Sequence, residues 1–340
     1  MNQIDVAVSD NRPIGNDLRA AHAAWADASG KQRRPIRLPS EDQVRFFQVG
    51  ADIEVHMCSA AVCSNMQTNA AAFEGWALVL RLWLNTRTIT LQWDAPIRQP
   101  HDPVDQHYAR FLYRVQRFAD VFPEWFRIGT PQHLDDCAVR SGADLYLNIA
   151  GKSSQRPKDP KPEAALEWSL IEEHSSLLKK ALNLDVLDRQ FPVGLYRTAT
   201  LKSPVFTGGT SAIDIVGTGK GHFTIIELKA GTNIAVGALS ELLFYAAVVR
   251  DAAASRFRFG GQKDRTSRAT IGFQALETAA GIRAIYLAET FHPLLEHPDL
   301  MQTLSAATKR QVTLPPLSFE QWVIQGVRSD SGPIFRNLSS

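Results

Sequence analysis

A chain of 340 residues with 44% hydrophobic and 21% charged content has enough apolar material for a sizeable core and enough length for two domains. No stretch approaches the roughly 18 consecutive apolar residues of a membrane helix, and the opening "MNQIDVAVSDNRPIGND" lacks the basic-then-apolar order of a secretory leader, so a cytoplasmic protein without a membrane partner is expected. Cys58, Cys63 and Cys137 stand at no metal-ligand spacing, with or without His56, which argues against a disulfide framework or a zinc site; the net charge of +2 leaves nucleic-acid binding open, because such a surface is a local patch.

In chain order, residues 1–40 read as a polar, loosely held arm. It carries one short helix, "NDLRAAHAAWADA", and a basic run, "KQRRPIR", expected to lie on solvated surface. From 44 to 97 the pattern turns to strands. "VRFFQV", "ADIEVHM", "GWALVLRLWL" and "RTITLQWDAPI" are rich in β-branched and aromatic residues, and "LRLWLNTRTITLQW" suggests a hairpin turning near residues 85–87. A long helix follows in "VDQHYARFLYRVQRFADVFPEWF", where Tyr108, Phe111, Leu112, Val115 and Phe118 recur at helical spacing as core contacts.

"AGKSSQRPKDPKP" loses all periodicity and marks a linker over 151–162, which separates a β-rich recognition or dimerisation domain (41–150) from an α/β domain (163–330). The second domain opens on a helix, "EAALEWSLIEEHSSLLKKAL". Strands "FPVGLYRTA", "SAIDIVG" and "HFTIIELK" come next, then the helix "GALSELLFYAAVVRDAA", a strand of parallel character, "GIRAIYLAE", and the terminal element "PLSFEQWVI". This order predicts a mixed sheet flanked by helices. "GGTS" and "GTGKG" read as turns, without Walker spacing.

The chemistry concentrates in "SAIDIVGTGKGHFTIIELKAG". Strand alternation puts Glu227 and Lys229 on one face, and pairing through "GTGKG" brings Asp214 near Glu227. Two carboxylates are the minimum protein contribution to a Mg²⁺ or Mn²⁺ site, with the Leu228 carbonyl as a third candidate ligand. Lys229 is placed to hold or polarise an attacking water and to offset charge on phosphate.

The residues "IDIV" followed by "IIELKAG" resemble the core of the PD-(D/E)XK nuclease superfamily, with Asp214 as the first acid, Glu227-Leu228-Lys229 as the (D/E)XK element and Ile213 in place of the usual proline. The resemblance spans about 160–300 and implies a restriction-endonuclease-like sheet. Glu163 or Glu167 on the leading helix would then help the metal site. "SELLFYA" is similar to the QxxxY helix of the RecB-like branch, with Tyr245 in the tyrosine position and Glu241 where that branch has glutamine. A carboxylate beside phosphate must be protonated, paired or facing a cation.

The implied activity is metal-dependent hydrolysis of DNA, by an endonuclease of anti-phage defence or repair acting as a homodimer or with a defence partner. A catalytically inactive nuclease fold serving as a binding or scaffold module is the rival. In "RFRFGGQKDRTSR", Arg256, Arg258, Lys263, Arg265 and Arg268 are candidates for gripping a phosphate backbone.

Overall fold

The computed structural model describes residues 11–97, 103–137, 144–147, 159–206, 211–231, 235–259, 271–327, 329 and 332–339. Its fold is mixed α/β. The first half forms α1 (Asn11–Ala28), β1 (Val44–Val49), β2 (Asp52–Met57), α2 (Ser59–Val62), α3 (Phe73–Trp83), β3 (Ile89–Trp93), α4 (Pro103–Val121) and β4 (Phe126–Ile128). The strands make one sheet in the order β1-β2-β3-β4, in which β1 and β2 are antiparallel while β2, β3 and β4 run parallel.

Parallel neighbours need crossovers, and α3 and α4 supply them. "GWALVLRLWL" is therefore helix α3, not a strand, and no hairpin forms at 85–87. Every residue of α3 from Phe73 to Leu80 is buried. A helix buried all round has no polar stripe to declare its period, so its continuous apolar run looks like a buried strand.

The arm is also more firmly held than expected. Ile14, Leu18 and Ala26 of α1 are buried, and Trp25 meets Trp83 of α3 edge-on at 5.5 Å. Within the basic run, Arg33 pairs with Asp27, while Lys31 and Arg34 both reach Glu296, Lys31 at 3.7 Å. The two pairs to Glu296 tie the start of the chain to its last third.

The second half contains β5 (Tyr146–Leu147), α5 (Pro162–Glu172), α6 (Ser175–Leu182), β6 (Val186–Pro192), β7 (Leu195–Tyr196), β8 (Ala212–Gly219), β9 (His222–Lys229), α7 (Gly237–Ala253), β10 (Arg258–Phe259), α8 (Phe273–Glu277), β11 (Gly281–Ala288), α9 (Leu300–Lys309), β12 (Leu317–Gln325) and β13 (Ile334–Asn337). Six strands form a mixed sheet in the order β13-β12-β11-β9-β8-β6, parallel from β9 through β11 to β12 and antiparallel elsewhere. The leading helix expected after the linker is broken at 173–174 into α5 and α6. Residues 151–158 of the expected linker lie outside the described ones.

Both faces of the large sheet are covered, which explains the unbroken apolar run of β9. Ile215, Ile226, Leu228, Ile285 and Leu287 pack with Leu166, Leu170, Leu178 and Leu182 of α5 and α6. On the other face Phe223, Ile225, Ala284 and Tyr286 join α7, and that core continues without a break into α3, α4 and the first sheet. Gly237 permits this junction, because a Cβ there would lie 2.3 Å from the carbonyl oxygen of Gln67. No described helix is long and apolar enough to cross a membrane.

Candidate active site

The site grows from the β8–β9 hairpin, which turns at Lys220 and Gly221, both with positive φ as a tight hairpin turn requires. Paired residues run from Gly219–His222 to Ile215–Ile226. One step beyond, the side chain of Asp214 replaces the ladder: its Oδ2 accepts the Leu228 amide at 2.9 Å. Next to that bond Glu227 and Lys229 project from the α7 face of β9.

Lys229 is the hub. Its Nζ lies 2.5 Å from Glu227 Oε1, 3.1 Å from Glu241 Oε2 on α7 and 3.2 Å from Glu163 Oε1 at the first turn of α5. Burial alone would lower its pKa, but the carboxylates of Glu227, Glu241, Asp214 and Glu163 together hold it well above the ordinary lysine range. Lys229 is therefore a fixed cation.

The acids divide according to their partners. Burial pushes Asp214 up to about 8, against the opposing pull of Lys229 and of the Leu228 amide. Burial and the nearby charge of Glu241 push Glu227 well above the carboxylate range. Burial would raise Glu241 too, but Lys229 and hydrogen bonds from Glu227 and Gln67 bring it below its ordinary value. Two ionised carboxylates cannot donate to each other, so Glu227 holds the proton of this pair and Glu241 remains the anion.

Gln67 was invisible to sequence reasoning. It stands 174 residues before Glu241, on the segment leading into α3, and its Nε2 donates to both Glu241 oxygens at 2.7 and 2.9 Å. Tyr245 donates to the same carboxylate at 3.0 Å, and the amide of Val236 donates to Asn69 Oδ1 at 3.0 Å, fixing the entry to α7 beside Gln67. Hence Glu241 meets the physical condition for a carboxylate in a phosphate site, since it faces a lysine and is bound by an amide. Arg110 of α4 also bears on Glu241 and Tyr245 electrostatically.

Glu163 and Glu167 do different things. Glu163 contacts Lys229, whereas Glu167 accepts from Gln190 at 2.7 Å and lies 3.2 Å from Arg189 Nε, with burial raising its carboxyl. Arg189 itself stacks 3.7 Å from the Trp168 ring. Of the basic strip, Arg256 pairs with Asp251 and Arg258 with Asp144, each at 2.8 Å, while Lys263, Arg265 and Arg268 lie outside the described residues.

Two buried oxygens at the site, Glu227 Oε2 and the hydroxyl of Tyr286, have no partner among the described residues apart from the carboxyl–carboxylate contact of Glu227 with Glu241. Tyr286 sits opposite Glu227 in the β9–β11 register. Among the described residues no three His, Cys, Asp or Glu side chains already converge as a ligand set, and Lys229 stands between the acids. The donors on offer are hard oxygens, and Glu227 Oε2 is a buried acceptor that a cation would satisfy in place of the proton, so the residues fit Mg²⁺ or Mn²⁺. Comparison of the chain with models of known families, with curated proteins and with solved structures finds no match.

Proposed function

We propose that the protein is a metal-dependent nuclease that hydrolyses DNA phosphodiester bonds on a restriction-endonuclease-like sheet, with a cytoplasmic role in defence or repair. The observation that carries the reading is the convergence of Asp214, Glu227, Lys229 and Glu241 on one buried spot where β8 and β9 part. Mg²⁺ or Mn²⁺ held by Asp214, Glu227 and the Leu228 carbonyl would supply Lewis acidity and a bound water of lowered pKa.

The chain's own groups have separable tasks. Lys229 keeps its proton, so it serves as an electrostatic anchor for the attacking water and the phosphate oxygens, not as a general base. Glu241, held ionised by Lys229 and Gln67, restrains the ammonium group from the α7 side. Tyr245 orients Glu241, and Glu163 completes the ring of acids from α5. Surrounding burial by β9, β11 and α7 limits bulk water, which strengthens each of these interactions.

Incubating the purified protein with plasmid, linear duplex and single-stranded DNA in Mg²⁺ or Mn²⁺ tests the proposal. Wild type should cut at least one substrate, with EDTA abolishing cleavage and Lys229→Ala slowing it by about 100-fold or more. A wild type inactive on all three, or a Lys229→Ala protein that cuts equally well, would instead leave a nuclease-shaped scaffold or binding module.

A further inference from the structure

A second concave site lies on the far side of α7, between α4, α7 and α9. It is a cavity of about 460 Å³, within the size range of small-molecule sites. Its walls hold five guanidinium groups, Arg114, Arg117, Arg250, Arg256 and Arg310, against three carboxylates, Glu74, Asp120 and Asp251. The excess is positive.

Pairing reduces that excess: Arg117 also binds Asp120 at 3.0 Å, and Arg310 pairs at 3.2 Å with Glu124, a carboxylate outside the lining. Arg114 Nε is bound to Glu74 at 2.7 Å, while Arg117 and Arg256 share the single buried carboxylate of Asp251 at 2.7 and 2.8 Å. Arg250 is 4% exposed and is held by carbonyl and amide oxygens, those of Pro315 at 2.7 Å and Thr308 at 2.9 Å among them. Burial lowers its pKa to about 10, against the opposing pull of Asp251. Among the described residues Nε and Nη2 of Arg256 carry no hydrogen bond. Arg256, 41% exposed in its side chain, stands where a solute would enter. The lining also includes apolar side chains, among them Phe118, Phe122, Leu243 and Ala247.

We propose that this cavity binds a phosphorylated small molecule that carries a planar ring and is of mononucleotide size. Spare guanidinium donors suit a phosphate, for which arginine geometry is matched, and the phenylalanine-lined wall suits the ring. The site is independent of the nuclease reading. It shares α7 with the acid–lysine cluster, however, since Leu243 and Ala247 line the cavity while Glu241 and Tyr245 enter the cluster.

Isothermal titration and thermal shift on the full chain, with AMP, GMP, CMP and UMP as probes, test this. Adenosine and ribose 5-phosphate serve as separated halves and a 12-nucleotide single strand as a polymer. At least one monophosphate should bind with 1:1 stoichiometry and raise the melting temperature, at least about tenfold more tightly than either half. Arg256→Ala, at the half-exposed mouth, should weaken binding about tenfold, and Ala247→Phe, which fills the cavity, should remove it. No saturable binding of any monophosphate at millimolar concentration, binding untouched by both substitutions, or binding of the oligonucleotide alone would overturn the proposal.

Discussion

Asp214 is the residue at which function and stability pull apart. Burial pushes its carboxyl up to about 8 in the folded chain, against an ordinary aspartate value of 3.8. The folded state then binds the proton more tightly than the unfolded state between about pH 4 and 8, so this group's contribution to stability is complete below that window and is lost as pH rises through it. In EDTA, wild-type melting should fall from pH 5 to pH 8. Asp214→Asn keeps an acceptor for the Leu228 amide and removes the ionisation, so it should flatten the slope and exceed wild type at pH 8 by about 1 kcal/mol or more. Differential scanning calorimetry at the two pH values checks both the sign and the crossing.

Gln67 is the residue-scale counterpart on the other side of Lys229. Its amide lowers the pKa of Glu241 through two hydrogen bonds to a buried anion. Gln67→Ala should cost about 1.5–3 kcal/mol, the usual worth of hydrogen bonds to a charged group. Under the proposed function it should also move the acidic limb of the cleavage pH profile to higher pH, because Glu241 would take up a proton more readily. A drop in stability with an unmoved pH profile would reduce Gln67 to a packing role.

At the scale of elements, the site depends on how closely α7 approaches the segment before α3. A methyl group at residue 237 would lie 2.3 Å from the Gln67 carbonyl oxygen and 2.8 Å from that of Met66, both main chain. Neither can move without carrying Gln67 away from Glu241. Gly237→Ala should therefore destabilise by about 2 kcal/mol or more, whereas Gly272→Ala, which meets nothing within 4 Å, should change stability by about 0.5 kcal/mol or less. Denaturant titration of both proteins separates the close approach from a general effect of losing glycine.

The elements also differ in how plainly the sequence announces them. β9 is legible because Phe223, Ile225, Glu227 and Lys229 alternate with Thr224, Ile226 and Leu228, and the positive-φ pair Lys220–Gly221 closes its hairpin with β8. α7 is legible by its length. α3 is not, because burial on all sides erases its period. Likewise the choice between Glu163 and Glu167, one helical turn apart, turned on Arg189 and Gln190, which sit on another strand and draw Glu167 to themselves.

On the whole-molecule scale, one apolar core runs from Ile14 in α1 to Val323 in β12. The first sheet is thus joined to the second through α3, α4 and α7, and it contributes Gln67 to the candidate site. Residues 160–340 expressed alone should expose the α7 face, bind a hydrophobic dye and aggregate, which size-exclusion chromatography with dye fluorescence would detect; a monomeric, cooperatively folding fragment would show that the two halves are thermodynamically independent. An exposed apolar face of that extent is an association surface.

The sequence by itself determined the local chemistry: an acid, a glutamate and a lysine on neighbouring strands, at positions where alternation and a two-residue turn force them together within 15 residues of chain, which strand period and turn geometry alone can specify. Only the tertiary structure decided that Glu241 is an anion held by Gln67, that Glu163 and not Glu167 contacts Lys229, and that arginines of α4 and α7 enclose a second cavity. Each of these depends on contacts between residues far apart in the chain, and on how burial shifts the balance between charge and proton at the point where they meet.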